Sequence, residues 1–110
     1  MAARRDTTVT LRDEQRDDSS SSLRARITTE GELELVGQDL GPMTSMVSDD
    51  GEYEYYWNVP VENLPALREV LGAPADVDLL DFLVEHFSGP ASQTLESLVS
   101  GSGLGTLTVI

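Results

Sequence analysis

Residues 51–72, GEYEYYWNVPVENLPALREVLG, change period half-way, and that change decides the fold. Up to Val59 the period is two: Tyr53, Tyr55, Trp57 and Val59 point one way, and Glu52, Glu54, Tyr56 and Asn58 the other. Aromatic and β-branched side chains suit a half-buried pleated surface, and carboxylates suit its wet side. Pro60 stops the strand because it cannot donate a ladder hydrogen bond. The period then becomes helical, with Leu64, Leu67, Val70 and Leu71 on one stripe. Asn63 stands at the cap position, Pro65 in the first turn and Gly72 at the stop. Each large ring buries roughly 150–250 Å², which at about 25 cal/mol per Å² makes the face of Tyr53, Tyr55 and Trp57 the expected core. That face is predicted to be dry, under the helices that follow.

Working outward, residues 23–36 read as a hairpin. A three-residue loop of Thr29, Glu30 and left-handed Gly31 sets Ile27 against Leu33 and Ala25 against Leu35. Arg26 then faces Glu34 on the other side. A two-residue loop would mix the faces, which register disfavours. Residues 37–42 (GQDLGP) read as a turn. Residues 43–48 are expected to pair with the aromatic strand, Val47 beside Tyr53 and Met43 beside Trp57, with a short helix over 42–47 as the competing reading. Residues 1–6 read as a frayed terminus and 7–12 as a first strand with Val9 and Leu11 inward. Residues 13–22 (DEQRDDSSSS) hold too little apolar surface to bury and read as a mobile loop.

Downstream, Asp76 is expected to cap a helix over 77–88 with Leu80, Leu83, Val84 and Phe87 inside. Ser92 opens a third helix carrying Leu95, Leu98 and Val99, stopped at Gly101. Residues 106–110 read as a last strand on a sheet edge. The sum is a single α+β domain over 7–110: an antiparallel β-meander of about five to six strands with two or three helices packed on one face.

The charge is uneven. The chain has 110 residues, 20 acidic and 7 basic, a formal net of −13, and no cysteine. Arg4, Arg5, Arg12, Arg16, Arg24 and Arg26 all precede residue 27; beyond it Arg68 stands against fifteen carboxylates. Such a field repels nucleic acid and anionic membrane and favours a basic protein partner. Without cysteine there is no thiolate nucleophile or Cys-based zinc site. No apolar run approaches a membrane span and no secretory leader is visible, so a cytoplasmic location is expected.

The residues capable of chemistry do not converge in the sequence. The single imidazole, His86, lies on a helix with no nucleophile elbow elsewhere. Asp49, Asp50, Glu52 and Glu54 lack EF-hand spacing and read as a solvated turn and strand face. Residues 101–105 (GSGLG) follow a helix and precede a strand, the reverse of a phosphate-binding loop. No catalytic, cofactor or metal site is expected. One surface stands out: Tyr56 is the lone aromatic on the wet side of its strand. With Glu54, Asn58, Glu34 and Glu52 it makes a tyrosine in a carboxylate rim, suited to a basic partner.

The blocks GQDLGP (37–42), DGEYEY (50–55) and VPxExLPxL (59–67), in that order, resemble a family of small acidic actinobacterial proteins of uncharacterised function. The likeness covers about residues 23–87. It implies no activity, cofactor or catalytic residue, and the tail LGTLTVI lacks the aromatic that family members carry there. Their general character is similar to that of immunity proteins. The expectation is therefore a non-enzymatic binding or regulatory module, such as an immunity-type inhibitor of a basic protein. The alternatives are a small-ligand protein or enzyme with its site between sheet and helices, and a self-associating structural protein.

Overall fold

The computed structural model describes residues 8–15, 19–40 and 52–109. These form an antiparallel meander of five strands: β1 (Thr8–Gln15), β2 (Ser20–Ile27), β3 (Leu33–Leu40), β4 (Glu52–Val59) and β5 (Thr106–Val109), neighbours in that order. Helices α1 (Leu64–Leu71), α2 (Leu79–His86) and α3 (Ala91–Ser102) lie between β4 and β5 in the chain. They pack on one face of the sheet, giving an α+β fold.

The hairpin has the expected register, Ala25 against Leu35, Arg26 against Glu34 and Ile27 against Leu33. Gly31 takes a φ of 87°, and the loop closes with Thr28 N–H on Glu32 O. The same register then runs on, which corrects two expectations. Residues 37–40 are not a turn, because Gly37 to Leu40 continue β3 against Ser20 to Leu23. The stretch 13–22 is not a loop throughout: Asp13–Gln15 close β1 and Ser20–Ser22 open β2, opposite one another. A polar strand end is stable here because ladder hydrogen bonds and a fixed register hold it, not burial of its own side chains. Residues 1–6, and the proposed strand over 43–48, lie outside the described residues. Within the described residues Trp57 pairs with Leu35 on one side and Leu107 on the other.

The core is built where the register stacks Leu23, Ala25, Leu33, Leu35 and Val59 beneath Leu67, Leu80, Leu83, Leu95 and Val99, all essentially inaccessible. Several helix details depart from expectation. Asn63 makes no capping bond; its amide donates to Leu104 O (2.9 Å), tying the entry of α1 to the lead-in of β5. The cap of α2 is Asp78, which accepts from Asp81 N–H (3.0 Å), and not Asp76. Val70 and Val84 face solvent, while Leu79 and Phe82 take buried positions. Helix α3 passes through Gly101 and stops at Gly103, whose φ is 71°.

The tyrosine and tryptophan face points at the helices as expected, but it is only partly dry. Tyr55 is buried, whereas Tyr53 and Trp57 are half-exposed. The leucine stripes of α1 and α2 do not reach this end of the sheet. It lies instead beside α3, whose facing side chains are Gln93, Glu96, Ser97 and Ser100.

Candidate functional site

Two surfaces of the sheet were open to carry function: the helix side at its aromatic end, and the bare outer face. The first is built on one buried arginine. β1 has a bulge between Thr10 and Arg12, so two consecutive side chains, Leu11 and Arg12, both enter the interior. Arg12 is 4% exposed. Its Nε donates to Ser21 Oγ (3.0 Å), and Nη1 donates to Ser92 Oγ (3.0 Å) and Glu96 Oε1 (3.1 Å). Nη2 donates to Tyr55 Oη (3.4 Å).

The three hydroxyl acceptors each donate a hydrogen bond onward, and the Glu96 carboxylate only accepts. Ser21 donates to Asp39 Oδ1, Ser92 to Gly89 O, and Tyr55 to the second oxygen of Glu96. The network thus joins β1, β2, β3, β4 and α3. Among the described residues no buried side-chain polar atom lacks a partner, the condition under which a buried charge is tolerable. Burial alone would lower the pKa of Arg12, but the hydrogen bond and charge of Glu96 outweigh it and the value is raised. Burial, then the Glu96 carboxylate, push the Tyr55 phenol well above its ordinary range. Both groups hold their ordinary charge at neutral pH and act as fixed struts.

Gly37 makes this geometry possible. It faces Tyr55 across the β3–β4 ladder, and the ring lies flat over it: a Cβ on Gly37 would sit 2.2 Å from Tyr55 Cζ. An aromatic covering a strand glycine is a known sheet device. With Tyr55 held down, Tyr53 (ring centroids 5.3 Å apart), Trp57 and Leu107 wall an open groove of about 570 Å³ against α3. The groove presents aromatic rings, serine hydroxyls and an amide. Its one carboxylate, Glu96, already has both oxygens occupied.

The outer face gathers the residues singled out in the sequence. Glu54, Tyr56 and Asn58 lie along β4 beside Gln38, Val36 and Glu34 of β3. Glu52 opens β4 opposite Leu40. Part of the carboxylate rim is engaged: Glu34 pairs with Arg26 (2.8 Å), and Asn58 donates to Glu32 (3.1 Å). Across β2 the sign reverses, with Arg24 and Arg26 exposed beside Thr8 and Thr10 of β1. The face therefore holds its arginines on β2, with Asp13 of β1 near Arg24, and among the described residues carries carboxylates without a cation toward β4. Only Thr106 and Thr108 of β5 stand on the far side of Asn58 and Tyr56.

Elsewhere, His86 is exposed beside Glu85 (3.4 Å), its ring tilted against that of Phe82. Among the described residues no three His, Asp or Glu side chains converge as a metal site would require. No helix there is long and apolar enough to cross a membrane. Comparison with family models, with curated proteins and with solved structures returns no match.

Sequence reasoning found the outer cluster and missed Arg12, Ser21, Ser92 and Glu96. The available signal was register. Carrying the hairpin pairing past Leu23 places Gly37 between Leu23 and Tyr55, and Ser21 opposite Asp39.

Proposed function

We propose that this chain is a non-enzymatic binding module for a basic protein partner, acting in the cytoplasm in the manner of a small acidic inhibitor. The observation that carries the reading is the split of charge on the outer face. The acidic side holds Glu54 beside Tyr56 on β4, with Glu34 behind it on β3 paired to Arg26, and β4 abuts β5, whose side chains on this face are short threonines. Nothing basic stands on that side among the described residues. Against catalysis, Glu96, the carboxylate that lines the open groove, is held in place by Arg12 on one oxygen and Tyr55 on the other.

Selection from a randomised peptide library on the immobilised protein tests the reading. Arginine- and lysine-rich peptides should be enriched at low salt and released near 1 M salt, where the Debye length falls to about 3 Å. Enrichment of acidic or neutral peptides would refute it. A second reading, a small ligand held in the groove of Tyr53, Trp57 and Leu107, is favoured by its place between sheet and helix. A rise in melting temperature with small aromatic compounds but not with basic peptides would select it.

A further inference from the structure

We propose that the partner binds as an extended segment that adds a sixth strand to the free edge of β5, alternating apolar and basic residues. The inference rests on the basic-partner reading above and names its site and mode.

An edge strand offers a row of unpaired N–H and C=O groups, and proteins normally blunt it with charge, proline, a bulge or a covering loop. Among the described residues β5 has none of these. Its sequence is Thr-Leu-Thr-Val, all four residues are exposed, and its outer side has no neighbouring strand among the described residues. Leu107 and Val109 are 43% and 50% exposed on the helix side, continuous with Trp57 and the aromatic groove. Strand addition uses such an edge: backbone pairing supplies affinity, and alternate side chains are read on the two faces.

The alternation follows from what those faces hold. Side chains of an added strand that point to the helix side meet Leu107, Val109 and the groove, and must be apolar. Those pointing outward cross only Thr106 and Thr108 before reaching Asn58 and Tyr56, with Glu54 next to Tyr56 on the same face of β4. Tyr56 lies two strand spacings from the new strand, roughly 9–10 Å, a gap that a long cationic side chain and the tyrosine close from both sides. There a guanidinium meets an aromatic ring and a carboxylate together. Charge also chooses between occupants. A second copy would bring another net −13 to a chain that carries the same charge, whereas a basic segment is attracted.

The test uses Trp57, the chain's only tryptophan, as reporter. A blocked decapeptide of alternating valine and arginine should shift its emission to the blue in a saturable titration. The same peptide N-methylated at alternate residues keeps every side chain but cannot complete the ladder; its affinity should fall about tenfold or more. Leu107→Arg, at an exposed site, should weaken binding comparably without moving the melting temperature, and Thr8→Arg on β1 should leave it unchanged. Equal binding of the N-methylated peptide, or no binding of the valine–arginine peptide by a protein that still selects basic library peptides, overturns strand addition while leaving the basic-partner reading intact. Equal binding of a valine–glutamate peptide removes that reading as well. A concentration-dependent doubling of mass that Leu107→Arg abolishes would assign the edge to a second copy instead.

Discussion

The two edge strands of this sheet are finished in opposite ways. β1 is bulged at Leu11, carries Arg12, Asp13 and Glu14, and is roofed where Gly89 N–H bonds Leu11 O (2.7 Å) in the loop after α2. β5 is four residues long and uncharged, pairs with β4 without a register shift, and has nothing beside its outer edge among the described residues. A chain that protects one edge with several devices and leaves the other bare has the means to close both. The difference teaches that the sheet is anchored at β1 and presented at β5: the buried polar network fixes one side, and the exposed leucine and valine stand on the other. If the contrast is real, mutations along the anchor cost folding stability, and mutations at the bare edge cost none.

The largest effect belongs to Arg12. Truncation to alanine leaves Glu96 and Tyr55 facing an emptied, polar interior, and loss of one partner of a buried pair costs about 3 kcal/mol or more. Arg26, on the neighbouring strand but exposed, pairs with Glu34 at the shorter distance of 2.8 Å. Its removal should cost about 0–1 kcal/mol, because water screens that pair. Urea midpoints of Arg12→Ala and Arg26→Ala give the comparison directly. Arg12→Lys should recover only a fraction of the loss, since an ammonium cannot address Ser21, Ser92, Glu96 and Tyr55 from one plane. Equal costs for the two alanine variants would end the claim that β1 is the anchored side.

Next comes Gly37→Ala. A methyl 2.2 Å from the Tyr55 ring cannot be accommodated by a small shift, because the phenol is pinned at its other end by Arg12 and Glu96. Overpacking of this kind costs about 1–3 kcal/mol. The double variant Gly37→Ala with Tyr55→Leu should be less destabilised than the sum of the two single changes, because removing the ring removes the clash. Strict additivity would mean that the ring does not press on the glycine.

The alkaline limb of stability is expected to move less. The pKa of Tyr55 is raised in the folded state, so folding favours the neutral phenol. The contribution is complete below pH 10.0, the ordinary value, and is lost as pH climbs above it, where the unfolded chain gives up the proton first. Melting temperature should therefore decline above that pH in the wild type and decline less in Tyr55→Phe. Parallel curves for the two proteins would show that another group sets the limb.

How much of this could be read beforehand follows from which forces are local. The 29–31 loop and its register were legible because apolar residues at Ala25, Ile27, Leu33 and Leu35 leave one pairing that keeps the faces apart. The aromatic strand, its proline stop and the Gly72 cap were legible for the same reason. The strand ends at residues 13–15, 20–22 and 37–40 were not, because their side chains are polar and their stability comes from a ladder begun elsewhere. Arg12 was hidden by the bulge, which turns an apparently outward residue inward at a place where period-two reasoning expects the opposite. The outer cluster of Tyr56, Glu54, Asn58 and Glu34 was legible as a set because alternation alone assembles it. Of its opposing arginines, Arg26 was legible opposite Glu34 from the hairpin register, and Arg24 stands one outward position further along, opposite Val36.

The smallest expected effect is the most diagnostic for the bare edge. Leu107 lies opposite Trp57 but is 43% exposed, so Leu107→Glu removes little buried area and adds a charge on an edge position where charge is well tolerated. The unfolding free energy should stay within about 0.5 kcal/mol of the wild type, as for other surface substitutions. Solution behaviour should change more than stability, because an added carboxylate beside Trp57 discourages any strand from docking there without disturbing the β4–β5 ladder. The two readouts separate cleanly: urea unfolding reports the ladder, and Trp57 emission with the valine–arginine peptide reports the free side. A loss near that of Arg12→Ala would mean that Leu107 seals the core, and β5 would then be an anchored strand like β1 with no edge left to offer.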